Sequence, residues 1–322
     1  MQQVRFVNSG TEANMMALAT AVAYTGKAKI LVFTKGYHGS TISGRVPSSK
    51  PSINLPHDFI VATYNDVAGT EAILSSLPPN SLAAILLEPM LGSGGCYAAF
   101  PTFLSTLRRL ATQHNALLIF DEVMTSRLGY HGLGHSTGIA PDLMTLGKWV
   151  GGGMSFGAFG GREDIMSMYD PRKGQLEHPG TFNNNVFSMG AGIAGCNLLT
   201  EERIDALNSL GDAIRKKIED VLQSRGVTAN REIPTSPVLD EGPSTAPRMY
   251  IKGTGSLLCI HFAGPDKEVL QGLFYHHMLR KGIHMAQRGF VALNICLDES
   301  HVERFVQSVE QFVEVYEKQL SG

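Results

Sequence analysis

The sequence predicts an α/β protein, with a large domain built on a mostly parallel sheet and a smaller α+β domain after it. Two observations carry this. Short β-rich runs alternate with helical stretches through the first two-thirds of the 322 residues. Several of those runs are apolar along their whole length, as strands covered by helices on both faces must be. The length suits one large and one smaller domain, and the boundary is expected at 205/206.

Taken in order, residues 4–7 read as a strand, 12–24 as an Ala/Met-rich helix and 29–33 as a strand. Residues 67–77 read as a short helix, 82–87 as a buried strand, 102–114 as a helix and 116–120 as another buried strand. From residue 186 one long helical stretch is expected to reach about residue 223. The Pro/Ser/Thr-rich run 232–247 reads as a surface loop. A strand at 256–262, a helix at 267–281, a short strand pair within 282–294 and a final helix at 299–320 complete the smaller domain.

Composition narrows the function classes. Hydrophobic residues make up 43% and charged residues 17%, enough apolar material for a large core without the charge excess of a disordered chain. With 27 basic and 29 acidic residues the formal charge is −2, and no basic face suited to nucleic acid is visible. Cys96, Cys196, Cys259 and Cys296 are far apart and form no CxxC pair, so reduced thiols are expected rather than a metal site or a disulfide frame. No apolar run approaches the length of a membrane span, and residues 1–5 lack a signal core, so the expectation is cytoplasmic.

Four short stretches carry chemistry. Asn8-Ser9-Gly10-Thr11-Glu12-Ala13 lies between a strand and a helix. There, free N–H groups, Gly10 and two hydroxyls suit a phosphate, while Ser9 followed by Glu12 equally reads as a helix cap. Gly36-Tyr37-His38-Gly39 follows a strand, where an aromatic could stack on a flat ligand or form an ordinary turn. Asp121 ends an apolar strand, and a buried carboxylate needs a partner: a protonated ring nitrogen, a helix cap or Arg127. Lys148 stands before Gly151-Gly152-Gly153, either as a desolvated nucleophile with room for a bulky adduct or as a snorkelling surface lysine.

The order of these stretches, with Asp121 27 positions before Lys148, resembles the fold-type I pyridoxal-phosphate (PLP) enzymes, and within them the class III aminotransferases. The similarity is closest to the glutamate-1-semialdehyde aminomutase-like branch. It rests on Ser9-Gly10-Thr11-Glu12-Ala13, Tyr37-His38-Gly39, Leu87-Glu88-Pro89, Asp121-Glu122-Val123-Met124-Thr125, Pro141-Asp142-Leu143, Leu146-Gly147-Lys148 and Pro179-Gly180-Thr181-Phe182.

The resemblance implies PLP as cofactor and no metal. Lys148 would be the Schiff-base lysine and proton carrier, and Asp121 the partner of the ring nitrogen. Val123 and Tyr37 would lie on opposite ring faces. Ser9, Gly10 and Thr11 would hold the phosphate, and Glu88 would support the site. Thr181 would reach the phosphate of a neighbouring subunit, implying a homodimer. The implied reaction moves an amino group between an amino acid or amine and a keto acid. An aminomutase and a shortened non-catalytic paralogue are the alternatives. Against the aminomutase, its acidic residue is absent from Ala286-Gln287-Arg288-Gly289-Phe290. Arg288 there resembles enzymes whose substrates carry a carboxylate, including aromatic and β-amino acids. The family's usual segment before the first strand would lie across the active-site mouth. Without it, an open cleft and weak cofactor binding or slow turnover are expected.

Overall fold

The computed structural model describes residues 1–42, 53–173, 175–229, 231–236 and 246–320. The chain divides into two compact units, one formed by Met1–Leu91 with Ala99–Glu201, the other by Gly92–Ala98 with Glu202–Gly322.

The first unit runs β1 (Gln3–Val7), α1 (Gly10–Thr25), β2 (Lys29–Phe33), β3 (Asp58–Ala62), α2 (Val67–Ser75), β4 (Leu82–Leu87), α3 (Pro101–Gln113) and β5 (Leu117–Asp121). It continues with α4 (Leu133–Ser136), β6 (Leu143–Gly147), β7 (Gly157–Gly161), α5 (Glu163–Met166) and α6 (Val186–Leu198). Its seven strands form one sheet in the order β1-β7-β6-β5-β4-β2-β3. β4 and β5 are buried at every position, which explains the apolar runs 82–87 and 117–120.

Pairing is parallel from β6 through β3, whereas β7 is antiparallel to both β6 and β1. Two successive reversals turn β1 back into the direction of β6. The C-terminal ends of β1, β2, β4, β5 and β6 therefore share one edge of the sheet, where an open α/β sheet places its ligand. Ala13, Ala17, Leu18 and Ala21 of α1 pack with Ile30, Val32, Ala84, Leu86, Ile119 and Leu143 of the sheet. The small alanines let the helix lie close.

The second unit contains α7 (Glu201–Ser224) from its second residue on, β8 (Met249–Thr254), β9 (Leu257–Phe262), α8 (Lys267–Arg280), β10 (Phe290–Ala292), α9 (Glu299–Val315) and α10 (Glu317–Leu320). Its antiparallel sheet has the order β10-β9-β8. Leu207, Ile214, Ile218 and Leu222 make one apolar stripe on α7 and meet Met249, Ile251, Leu258, Ile260, Phe274 and Phe312.

Three expectations need correction. The helical stretch from residue 186 is two helices, because Leu199 (φ −97°, ψ 68°) leaves the helical region and Glu201-Glu202 open a new N-terminus where carboxylates are favoured. Instead of a strand pair within 282–294 there is the single strand β10, which takes its partner from β9. The last helix is interrupted at Tyr316, whose φ and ψ are −112° and 22°. Of the expected loop 232–247, residues 237–245 lie outside the described residues.

Candidate active site

Asp121 is the last residue of β5, and only 3% of it is exposed. Burial strips water from its carboxylate, so protein donors must replace it. Oδ2 accepts from Asn14 Nδ2 and from His38 Nδ1, each at 2.8 Å. Oδ1 accepts from the Val123 amide at 3.0 Å. Asn14 also donates to the His38 carbonyl at 3.1 Å and accepts from Thr145 Oγ1 at 2.8 Å. One α1 side chain thus joins the ends of β2, β5 and β6. His38 Nε2 is buried and has no hydrogen-bond partner among the described residues.

The turn after β2 carries Tyr37, which is 47% exposed. Its amide donates to Glu88 Oε2 at 3.1 Å, so the buried Glu88 at the end of β4 holds the backbone that presents the ring. Gly39 is in the left-handed region at φ 116°, and a side-chain carbon there would collide with Thr11, 2.3 Å from its Oγ1. The Tyr37 turn is therefore packed directly on the loop that opens α1.

In that loop Ser9 Oγ accepts from the Glu12 amide at 3.1 Å, and Glu12 accepts from the Asn8 amide at 2.7 Å. Ser9 is a working N-cap. A side-chain carbon on Gly10 would stand 2.8 Å from both methyls of Val123. The Val123 side chain is thus packed against the Gly10 backbone, which couples this helix terminus to the residue two places after Asp121.

Lys148 follows β6, whose register sets Thr145 beside Asp121. It is exposed, and its backbone takes the left-handed φ of 51°, uncommon for a residue with a side chain. Among the described residues its ammonium has no hydrogen-bond or ion-pair partner. The next residue anchors the turn, because Trp149 Nε1 donates to Ser126 Oγ at 2.9 Å. Beside Asp121, burial pushes the Glu122 carboxyl above its usual range, while Thr125 Oγ1 and the amides of Gly134 and Leu133 bond to it and oppose the shift.

Thr181 lies exposed in the segment after Pro179. That segment is tied to the α1 loop through Asn183, whose Oδ1 accepts from Asn8 Nδ2 at 3.1 Å. Arg288 belongs to the second unit, where it is exposed and sits 5.2 Å from the Phe290 ring centroid. The sequence reading missed Asn14 and gave His38 no role of its own. A polar residue on the sheet-facing side of an otherwise Ala-rich helix was the signal for Asn14.

These residues fit PLP by the chemistry of their donors. A buried carboxylate, oriented by three donors, would suit a protonated ring nitrogen. An exposed aromatic stands beside a glycine-containing helix N-terminus that would suit a phosphate. An unpaired lysine lies at the next strand end.

The sequence profile of Aminotransferase class-III matches residues 1–233. The β-phenylalanine transaminase of Variovorax paradoxus is 43% identical over 325 residues, spanning 97% of this chain and 69% of that protein. The crystal structure of a β-phenylalanine aminotransferase from Variovorax paradoxus has a TM-score of 0.87 at 42% identity, covering 98% of this chain and 71% of that one. A solved transaminase with PLP bound has a TM-score of 0.84 at 27% identity, covering 100% of this chain and 75% of that one. The chain belongs to the class III aminotransferases, fold-type I enzymes that use PLP to transfer amino groups.

Proposed function

We propose that the amino donor of this aminotransferase is an aromatic or β-amino acid bearing a carboxylate, and that a keto acid takes up the amino group. The observation that carries the site is the placement of Asp121 and Lys148 at the ends of two paired strands, β5 and β6. Bound PLP supplies an aldehyde carbon and an electron-withdrawing ring. Asp121, oriented by Asn14, His38 and the Val123 amide, keeps the proton on the ring nitrogen. Lys148 Nζ provides the covalent attachment point and then carries the proton to and from the substrate carbon. Tyr37 and Val123 would hold the ring between them, and Ser9, Gly10 and Thr11 would bind the phosphate at the start of α1.

Arg288 recognises the substrate carboxylate, since a guanidinium presents planar donors and stays charged. The 43% identical β-phenylalanine transaminase supports that substrate class. Thr181 completes the phosphate site of a neighbouring subunit, which makes the active unit a homodimer. We place the enzyme in the cytoplasm. All four cysteines are free, in keeping with a reducing compartment. No helix among the described residues is long and apolar enough to cross a membrane.

Borohydride reduction of the PLP-loaded protein followed by peptide mapping tests the central assignment. The label is expected on Lys148, and Lys148→Ala is expected to lower turnover by about 10²–10⁴-fold or more. A label on another lysine overturns it. Amino transfer from β-phenylalanine is expected to require added keto acid. Arg288→Ala should raise KM for that donor by about 10–100-fold, the loss of a charge-assisted hydrogen bond, and leave simple amines little changed. Equal effects on both donor types remove Arg288 from the site.

A further inference from the structure

Strand β1 and residues 178–185 are far apart in sequence and joined by a small polar cluster. Arg5 Nε donates to His178 Nδ1 at 3.1 Å. The same guanidinium lies 5.1 Å from the Tyr169 ring centroid. The imidazole meets the rings of Phe159 and Tyr169 edge-on, at centroid distances of 5.5 and 6.0 Å. Tyr169 is itself fixed by a 2.7 Å hydrogen bond between its hydroxyl and Thr20 Oγ1. Five residues beyond His178, Asn183 takes the hydrogen bond from Asn8 beside the phosphate loop. The segment bearing Thr181 is thus pinned at both ends, by His178 before it and Asn183 after it.

The two pins differ in chemistry. An amide pair does not titrate. An imidazole that accepts at Nδ1 must be neutral, with its proton on Nε2. Protonation would put a second N–H against the Arg5 N–H and a second positive charge against the guanidinium.

We propose that His178 is a positioning residue: its neutral imidazole holds residues 178–185, and so Thr181, against β1, and its protonation releases that segment and weakens cofactor retention. The effect on the cofactor rests on the reading of Thr181 given above, whereas the effect on the segment does not.

The charged groups facing the imidazole are Arg5 from β1 and Glu12 from α1, and β7 and the turn of residues 167–169 contribute the rings of Phe159 and Tyr169. Burial holds His178 below its ordinary value, Arg5 adds to that, and Glu12 opposes it. A histidine depressed in the folded state gives its full contribution above the ordinary value of about 6.5 and loses it as the pH falls below that. The segment is therefore closed at neutral pH and loosens on acidification.

Amide hydrogen exchange and PLP dissociation, measured on the holoenzyme between neutral and mildly acidic pH, test this. In the wild type, exchange across residues 178–185 should quicken on acidification. With correction for intrinsic exchange rates, this should exceed the change elsewhere in the first unit. His178→Gln keeps an acceptor that cannot titrate and should abolish that excess. His178→Leu removes the acceptor and should loosen the segment already at neutral pH, speeding PLP dissociation about two- to tenfold, as expected for one hydrogen bond. Arg5→Lys, which keeps the charge but not the Nε donor, should loosen the segment in the same way and serves if the histidine variants fold poorly. An unchanged pH response in His178→Gln, or a wild-type exchange pattern in both His178→Leu and Arg5→Lys, overturns the proposal. Thr181→Ala separates the two readings: if it leaves PLP retention intact while the exchange results hold, the Thr181 assignment fails and the His178 clamp stands.

Discussion

Asn14 shows how one side chain sets the electrostatics of a site it need not touch. Its amide nitrogen donates both to Asp121 and to the His38 carbonyl, while its own carbonyl takes the Thr145 hydroxyl. All of this is buried, so a group left without its partner costs about 1–3 kcal/mol. Asn14→Ala is expected to lower stability by about that amount and to weaken PLP binding. Asn14→Asp has nearly the same shape but sets a second carboxylate where a donor stood 2.8 Å from Asp121. Two carboxylates so close cannot both ionise cheaply, so the aspartate variant should bind PLP more weakly than the alanine variant. Spectroscopic PLP titration at neutral pH with thermal melts decides this, and the reverse order would show that Asn14 acts by packing alone. Asp121 was legible in the sequence because a carboxylate closing an apolar strand is costly. Asn14 was not, because a single polar residue in a helix is usually solvated, and its place among Ala13, Ala17, Leu18 and Ala21 becomes a signal only once that stripe is known to face the sheet.

The start of α1 serves two ends at once. Ser9 caps the helix through the Glu12 amide, and in the proposed function the same turn holds the phosphate. Sequence alone allowed either role, and the cap is present in the fold. The two roles separate under substitution. Ser9→Ala loses the cap and about 1 kcal/mol with it. Ser9→Asp keeps a capping oxygen but brings a negative charge to the place proposed for the phosphate. Its melting temperature should stay near that of the wild type while its PLP affinity falls by about tenfold or more, since 1.4 kcal/mol of repulsion suffices for that. If Ser9→Asp binds PLP as tightly as the wild type, Ser9 is a cap and nothing else. Legibility at this scale followed burial. β2 and β4 matched the expected bounds, 29–33 and 82–87, because their apolar runs are flanked by clear breakers. β7 went unread because Gly-Ala-Phe-Gly-Gly lacks β-branched residues. Its glycines answer to neighbours instead: a side-chain carbon on Gly161 would lie 2.0 Å from the carbonyl oxygen of Asp142, the residue just before β6. Such close backbone approach cannot be seen from one strand's own sequence.

For the molecule as a whole, α6 links the lysine turn to the outside. Two of its glycines face inward: a side-chain carbon on Gly192 would stand 2.8 Å from the Val150 carbonyl oxygen, and one on Gly195 would stand 3.1 Å from Gly152 Cα. The helix therefore rests directly on the turn that begins at Lys148. Its large residues face outward. Val186 and Phe187 are each 75% exposed, Ile193 is 62% exposed and, just ahead of the helix, Phe182 is 69% exposed. An apolar group of this kind beside Thr181 is the surface expected of an interface, because burying each such side chain contributes about 1.5–3 kcal/mol. In the proposed homodimer this face meets the second subunit, and Thr181 is carried across with it. Phe187→Asp should then produce a monomer by light scattering, since a carboxylate in an apolar contact is poorly tolerated. Far in sequence from the proposed phosphate donors, the substitution should nonetheless weaken PLP binding, because each subunit would lose the Thr181 of its neighbour. Far-ultraviolet circular dichroism would establish that the variant stays folded. A folded monomer that keeps wild-type PLP affinity would show that the cofactor site is complete within one chain.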